Sequence, residues 1–532
     1  MNKTKKIVIA ILIILALVLN YSVVFATQPE MPSNGMESGQ TPPDKPDGEM
    51  PGGDGQTPPD KPEGEMPGGN GQTPPDKPDG NGGGPGESSN ATVSHSGATE
   101  ISTDTESSDG KYSSIDDSQN SLLVTGGTST LTNATITKSG DSDGDNSDFY
   151  GTNAAVLVKS GTLNIKGGTV TTNGSHANGV FAYSSGIINI SDTTIKTTSN
   201  NSGAIMVTGG GTLTANNVTA ETDGNSSAPI RSDRGGGTLT VNGGSYTSHG
   251  NGSPAVYSTA DITVNDATLT STASEGIVVE GKNSVTLNNT TLEASNTSLN
   301  GNSETYKAIF IYQSMSGDAD VGTASFTAKD SKVVNNKGDI IYVTNTNTVI
   351  ELENNEITNN DTTGGFLRIA AAKWGTTGSN GGTVTLNAKN QAISGNIYVD
   401  SISTLDLSLK NGSSYVGTIN GENSAKSIAL TLDSSSTLTL TGDSYVTSLS
   451  NEVADNSNIN LNGYTLYVNG TAINSTNYTG PAIATNTVNA TESTNSTGEV
   501  ESALKTDYIL PLVLAVVIIG ITIAVKSILK RK

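Results

Sequence analysis

The sequence has no cysteine, so disulfides, thiolate metal sites and a cysteine nucleophile are excluded. Aromatic residues make up 4% of the chain and charged residues 15%, and only four of the 532 residues are arginine. The net charge of -23 argues against nucleic-acid binding, because phosphates require a basic stripe. An acidic surface rich in Asn and Thr fits a soluble role outside the cell.

A short β run, a polar turn and a second β run return about every 23 to 26 residues. Such a unit cannot bury its own apolar side chains, so it must stack on its neighbours, which predicts a solenoid stabilised by stacking alone. Clear copies are Gly-Thr-Leu163-Asn-Ile165, Gly-Ile-Ile188-Asn-Ile190, Gly-Thr-Leu213-Thr-Ala215 and Gly-Thr-Leu239-Thr-Val241.

A third β run follows in each repeat, as in Gly-Val180-Phe181-Ala182-Tyr183 and Gly-Ala204-Ile205-Met206-Val207. Three short strands per repeat predict an all-β fold, a parallel β-helix over residues 91–468, and the crossover rule makes it right-handed. Residues 384–468 continue the alternation less regularly and are interpreted as further coils. Residues 93–121 are the candidate cap at the N-terminal end.

Alternation along the third run predicts which side chains face the core. Residues predicted to point inward are Phe181, Ile205, Ile230, Val256, Val278, Phe310, Ile341 and Leu367. Residues predicted to point outward are Ala182, Met206, Arg231, Tyr257, Val279, Ile311, Tyr342 and Arg368. Asparagines predicted to form a stacked amide ladder, in positions that tolerate left-handed backbone, are Asn216, Asn242, Asn265, Asn288, Asn387 and Asn462.

Both ends of the chain differ from the repeats. Residues 1–26 combine three lysines with an apolar run and Val-Phe-Ala, which predicts a signal peptide cleaved after Ala26, with an uncleaved anchor as the alternative. Residues 27–90 repeat Gln-Thr-Pro-Pro-Asp-Lys-Pro with period 16 and are predicted to be an extended, disordered Pro/Gly-rich tract. Residues 469–506 are a Thr/Asn/Ser linker. The apolar segment and basic tail in 507–532 predict a transmembrane helix and a type I cell-surface topology.

A β-helix often carries polysaccharide enzymes, so the acids and histidines are the residues that could be catalytic. Asp233 and Glu280 are expected two coils apart, roughly 10 Å along the axis, with no third acid beside them. His95, His176 and His249 are interpreted as solvated residues too far apart to share a metal. The sequence therefore predicts a protein that is not an enzyme, with a polysaccharide lyase or hydrolase as the alternative.

One acidic run offers oxygen ligands at alternate positions, between the first two clear coils. It lacks the glycine and the closing glutamate of the EF-hand pattern. The alternatives are a solvated acidic loop and a weak Ca²⁺ site, which would be the protein's only cofactor. The candidate ligands are Asp141, Asp143, Asp145 and Asp148.

Three of the four arginines fall close to aromatic residues in the predicted outward column. Aromatic faces and guanidinium groups on a rigid sheet suit a glycan, because sugars stack on rings and bond to planar donors. The alternative is a structural role, in which Arg234 pairs with Asp233 at a corner and the tyrosines cover the strand. The candidate glycan-binding residues are Arg231, Arg234, Tyr257, Tyr342, Arg368 and Trp374.

The repeats and the stretch Ile311-Tyr-Gln-Ser-Met-Ser-Gly-Asp318 resemble adhesin-like right-handed parallel β-helix surface proteins, some of whose relatives are called carbohydrate-binding. The resemblance covers about residues 130–470 and implies attachment or contact with polysaccharide or host glycans, without a catalytic residue to transfer. A membrane-anchored adhesin presenting a β-helix for glycan or surface binding is therefore expected. A polysaccharide enzyme and a purely structural envelope spacer are the alternatives.

Overall fold

The computed structural model describes residues 93–142, 144–297, 299, 305–475 and 478. All described residues belong to one compact unit. The predicted signal peptide, the Pro/Gly-rich tract and the predicted transmembrane helix lie outside the described residues. In the part of the chain that the structure describes, no helix is long and apolar enough to span a membrane.

The described residues form 37 β-strands and one short helix. The first twelve strands and the helix are β1 (Gly97–Ile101), β2 (Thr105–Ser108), β3 (Lys111–Ser114), β4 (Asn120–Val124), β5 (Thr128–Lys138), α1 (Asp145–Tyr150), β6 (Val156–Thr172), β7 (Val180–Ser191), β8 (Thr194–Thr197), β9 (Ile205–Thr208), β10 (Gly211–Thr222), β11 (Ile230–Ser232) and β12 (Gly237–Ser248).

The middle of the solenoid contains shorter strands of similar spacing. They are β13 (Val256–Ser258), β14 (Asp261–Asn265), β15 (Thr268–Ser271), β16 (Ile277–Glu280), β17 (Ser284–Asn288), β18 (Thr291–Ala294), β19 (Lys307–Tyr312), β20 (Thr323–Lys329), β21 (Lys332–Asn335), β22 (Asp339–Thr344), β23 (Asn347–Glu353), β24 (Glu356–Asn359), β25 (Leu367–Ile369) and β26 (Thr383–Lys389).

The C-terminal coils continue the same winding. Their strands are β27 (Ala392–Ser394), β28 (Ile397–Val399), β29 (Thr404–Lys410), β30 (Ser414–Gly417), β31 (Ser427–Leu432), β32 (Thr437–Leu440), β33 (Ser444–Val446), β34 (Ser448–Asn451), β35 (Ile459–Asn460), β36 (Leu466–Val468) and β37 (Thr471–Ala472).

These strands wind into a parallel β-helix of about 15 turns, which confirms the prediction of an all-β parallel β-helix. Each coil contributes strands to three faces, and each strand pairs in parallel with the equivalent strand of the next coil. We call the faces first, second and third. Strand β9 lies on the first face, the first half of β10 on the second face and the second half of β10 on the third face. Long strands such as β6 and β10 bend around corners, so the faces share a 30-stranded sheet. Among the described strands, only β36 and β37 pair antiparallel.

The core is a set of apolar columns, one for each inward position of each face. On the second face, Leu213 pairs with Leu239, and Leu239 with Ile262. On the first face, Ile230 lies between Ile205 and Val256. All of these side chains are at most 1% exposed, so each coil buries its apolar residues against its neighbours.

The corner between the second and third faces requires left-handed backbone. Asn217, Asp266 and Asn289 adopt φ angles of 52°, 55° and 47° there, which Asn and Asp tolerate. Gly244 occupies a nearby position with φ of 94°, and a Cβ on it would lie 2.2 Å from the carbonyl oxygen of Val218. Only glycine fits that close approach.

The predicted amide ladder forms over four of the six predicted asparagines. Each amide nitrogen of Asn242, Asn265 and Asn288 donates to the Oδ1 of the preceding asparagine, starting from Asn216, at 2.8 to 2.9 Å. In each of the four it is the residue after the asparagine that is left-handed. Asn387 and Asn462 are outside this ladder, because Asn387 bonds to Glu351 and Asn462 to the carbonyl of Leu440.

The third β run of each repeat forms the first face, and its predicted register was wrong at three coils. Phe181 aligns with Met206, and Val278 with Tyr257, so Phe181, Val278 and likewise Phe310 point outward, while Ala182, Val279 and Ile311 join the core. Alternation failed there because the outward side chains are also covered, which makes both sides of the strand apolar. The remaining inward and outward assignments agree with the strand pairing.

The expected N-terminal cap is instead a complete coil. Strands β1, β2 and β3 occupy all three faces, and β1 pairs with β4 while β2 and β3 pair with β5. The less regular residues 384–468 also form coils, as predicted, and end at the β36–β37 hairpin.

Candidate functional site

Two insertions cover part of the first face and leave a cleft of about 330 Å³ between them. The first insertion follows β5 and contains α1, whose Phe149 carbonyl accepts a hydrogen bond from Thr208 at 2.6 Å. The second follows β19 and is held by the Gln313 side-chain amide, which donates to the Ala319 carbonyl. The cleft therefore lies over outward side chains of the first face, near β11 and β13.

Arg231 lies at the floor of this cleft with its guanidinium group already paired. Its Nη2 donates to Oδ2 of Asp233 at 3.0 Å, and its Nη1 lies 3.8 Å from Oδ1 of Asp148 in α1. Asp148 also contacts Nδ1 of His176 at 2.9 Å. The guanidinium group of Arg231 therefore already contacts two carboxylates of this chain.

Asp233 is the most perturbed carboxyl group in the cleft. Its side chain is buried, and its Oδ1 accepts the backbone N–H of Arg234 at 3.0 Å. Burial raises the pKa of Asp233 to about 6; Arg231 opposes this shift, and Asp318 and Asp148 add to it. This carboxyl group can therefore carry a proton at mildly acidic pH.

Arg234 joins the two insertions at the rim. Its Nε donates to Oδ1 of Asp318 at 2.6 Å, and its guanidinium carbon lies 4.0 Å from the ring centroid of Phe149. The sequence suggested that Arg234 pairs with the side chain of Asp233. Arg234 instead forms this ion pair with Asp318, which is 84 positions away in the chain.

Tyr257 forms a wall of the cleft, and its hydroxyl forms a hydrogen bond with a buried carboxylate. The hydroxyl donates to Oε2 of Glu280 at 2.5 Å, and Tyr312 donates to the same oxygen at 2.9 Å. Ser314 donates to the other carboxylate oxygen of Glu280, which is 1% exposed. Burial raises the pKa of Tyr257 well above its ordinary value, so the phenol stays protonated.

The rest of the predicted glycan column is separated from the cleft. Tyr342 is 2% exposed, stacks at 5.7 Å on Phe310, and donates its hydroxyl to the carbonyls of Ala370 and Ala371. Trp374 packs on Tyr312 rather than on open surface. Arg368 donates to Asp339 at 2.6 Å and lies 4.4 Å from the Tyr398 ring. An accessible strip from Arg231 to Arg368 is therefore not formed.

Two residues of the candidate Ca²⁺ site, Asp141 and Asp148, have separate partners within the chain. Asp141 accepts the backbone N–H of Ser175, Asp145 is exposed on α1, and Asp148 faces Arg231. Asp143 lies outside the described residues. Within the described ranges, the one group of three metal-type ligands is Glu221, Asp223 and His249, and the ammonium of Lys196 already lies 2.7 and 3.2 Å from its two carboxylates.

Two expectations about acids and histidines were wrong. Asp233 does have further acids beside it, because Asp148 and Asp318 arrive from the two insertions rather than from the strands. His176 is not solvated, since it bonds to Asp148 and Asn201. The signal that could have revealed this arrangement is repeat length: extra residues interrupt the regular spacing after β5, just before a first-face strand, and after β19, just behind one.

The cleft thus combines three carboxylates and one guanidinium group with two aromatic side chains, on a rigid sheet. Glu280, Tyr312 and Ser314 support Tyr257 from behind. Neither a protein-family model, nor a curated protein, nor a solved structure matches this chain.

Proposed function

We propose that this chain is an adhesin-like surface protein that binds a glycan in the first-face cleft. The observation that carries the proposal is the cleft itself, which has an aromatic wall at Tyr257 and hydrogen-bonding groups around it. Its volume is at the lower end of the range for small-ligand pockets, about 300 to 1,000 Å³. Sugars fit such a site because their rings stack on aromatic faces while their hydroxyls exchange hydrogen bonds.

Rigidity supports the same proposal. Arg231, Tyr257 and Glu280 lie in or beside short parallel strands whose backbone positions are fixed by neighbouring coils. A preorganised surface loses little conformational entropy when a ligand binds, so modest contacts suffice. Multiple weak contacts of this kind are what attachment to a polysaccharide requires.

The proposal includes export and anchoring through the chain ends. The apolar run near the N-terminus and the apolar segment with its basic tail in 507–532 support a type I arrangement, with the β-helix outside the cell. A spacer without a ligand would share this topology, so binding has to be tested directly.

A glycan array with the purified chain tests the binding function. We expect signal on a subset of polysaccharides, and loss of that signal in Tyr257→Ala, which removes the aromatic wall. Lys166→Ala is the matched control, because Lys166 is exposed on the second face away from the cleft. Equal binding by both variants would show that the glycan does not bind in the cleft. No binding by the wild type would favour a structural spacer.

A second candidate function is hydrolysis of the bound glycan, favoured by the state of Asp233. A carboxyl group with a pKa of about 6 can donate its proton to a glycosidic oxygen. An ionised neighbour, Asp148 or Asp318, would then activate water or attack the anomeric carbon. Release of reducing ends from the glycans that bind, lost in Asp233→Asn with binding retained, is the expected result for an enzyme. Unchanged glycan in the presence of the wild type would exclude it.

A further inference from the structure

The charges of the cleft determine which glycans it can accept. Three carboxyl groups line it, those of Asp148, Asp233 and Asp318, against the guanidinium group of Arg231 and, at the rim, that of Arg234. With all five ionised, the site has a net charge of minus one. Each guanidinium group already donates to a carboxylate of the chain, which offsets part of its positive charge.

One carboxylate oxygen in the cleft lacks a hydrogen-bond donor. Oδ1 of Asp148 is buried, and its nearest cationic atom is Nη1 of Arg231 at 3.8 Å, beyond hydrogen-bond distance. The other oxygen of Asp148 is occupied by His176. A buried acceptor without a donor costs free energy, and a ligand that brings an N–H group would remove that cost.

The remaining lining distinguishes a sugar from a simple cation. Tyr257 and Phe149 supply apolar ring surface, while Asn201 and Ser226 supply neutral polar groups at the other side. Rings and neutral polar groups match the faces and hydroxyls of a pyranose. Carboxylates match an ammonium group, which has three donors and a positive charge.

We infer that the cleft binds an amino sugar with a free, protonated amine, placed at Asp148 and Asp318. This inference rests on the proposed glycan binding and narrows it to one class of ligand. Acidic polysaccharides are rejected, because their carboxylates would face a site of the same sign. N-acetylated sugars lose the charge and add bulk where the carboxylates lie.

Calorimetric titration of the purified chain with three hexasaccharides tests the inference without any variant. The probes are β-1,4-linked glucosamine, its fully N-acetylated form and a galacturonic acid oligomer, at a pH that keeps the amines protonated. We expect the glucosamine hexamer to bind at least about tenfold more tightly than the N-acetylated one, the scale of one charge-assisted hydrogen bond. The galacturonic acid oligomer should not bind.

Variants then locate the amine. Asp148→Asn and Asp318→Asn keep the side-chain shape and should each lower glucosamine affinity by about tenfold. Asp406→Asn is the matched control, because Asp406 is exposed on the second face. Loss of affinity in the control equal to that in the cleft variants would overturn the assignment.

The outcomes distinguish the amine inference from the proposed glycan binding on which it rests. N-acetylated or acidic hexamers that bind as tightly as glucosamine would overturn the amine inference and leave glycan binding intact. A hexalysine peptide that binds as tightly as the glucosamine hexamer would overturn it in favour of a basic peptide. No binding by any of the oligosaccharides, with the glycan array also blank, would remove the proposed function itself.

Discussion

The hydroxyl of Tyr257 donates to Oε2 of Glu280 at 2.5 Å, and this bond joins the wall of the cleft to a buried carboxylate one coil away. Glu280 belongs to β16 and is 1% exposed, so its charge needs donors close by. Tyr312 and Ser314 provide two more, from β19 and from the insertion that follows it. The same carboxylate therefore orients Tyr257 and ties down the second insertion.

Removal of the Tyr257 hydroxyl should destabilise the protein while the ring remains. We expect Tyr257→Phe to lower the free energy of unfolding by about 1 to 2 kcal/mol, because Glu280 loses one of its hydroxyl donors. Denaturant unfolding measures this change. Tyr464→Phe is the control, since Tyr464 is 43% exposed, and an equal effect in both variants would contradict the role of the Tyr257–Glu280 bond.

A charge placed in a core column should uncouple neighbouring coils. Val264 is 0% exposed in β14, and Val264→Asp buries an unpaired carboxylate at a cost of several kcal/mol. Since each coil contacts its neighbours, calorimetry should record two melting transitions instead of one. Thr263→Asp, one residue away on the outer side, should keep a single transition. Identical melting of the two variants would disprove the register of β14.

The raised pKa of Asp233 predicts a specific pH dependence of stability. Its folded-state pKa of about 6 exceeds the unfolded value, so its contribution to stability is present at low pH and is lost as pH rises through about 6. The stability of the wild type relative to Asp233→Asn should therefore fall between about pH 4 and 7, by roughly 1 to 3 kcal/mol. Chemical unfolding of both proteins across this range measures the difference, and an opposite slope would contradict the raised pKa.

The amide ladder should contribute measurably to stacking of the second face. Asn265 takes part in two ladder bonds, to Asn242 and from Asn288. We expect Asn265→Ala to lower the free energy of unfolding by about 1 kcal/mol, because both bonds are partly exposed to water. Asn146→Ala, at an exposed position of α1, should have a smaller effect.

The proposed topology predicts a particular pattern of proteolysis. Protease added to intact cells should remove the β-helix and leave a small membrane-bound C-terminal fragment. Amino-terminal sequencing of the mature chain should begin after Ala26. Full protection of the β-helix would exclude a surface location, and a sequence that begins at Met1 would indicate an uncleaved N-terminal anchor.

Part of the cleft could be predicted from the sequence. Arg231 and Tyr257 were correctly placed in one outward column, because their offsets from the apolar residue of each repeat are equal. The sequence predicts Asp148 only as a candidate Ca²⁺ ligand, and its spacing does not link Glu280 to Tyr257 or Asp318 to Arg234. The Tyr257–Glu280 and Arg234–Asp318 contacts join residues that are 23 and 84 positions apart in the chain. The second contact reaches the insertion after β19, and the repeat pattern does not predict how that insertion folds.

The sequence by itself determined the parallel β-helix, since repeats that cannot bury their own apolar side chains have to stack. It also determined most of the core columns and the amide ladder, which depend on regular spacing. Tertiary structure alone decided the rest. The two insertions fold over the first face and bring Asp148 and Asp318 to Asp233, Arg231 and Arg234. The outward Phe181 is buried against Ala154, and the outward Val278 and Phe310 are buried in a cluster with Trp374. Stacking depends on contacts between adjacent repeats, whereas the cleft depends on how the irregular insertions fold over the repeats.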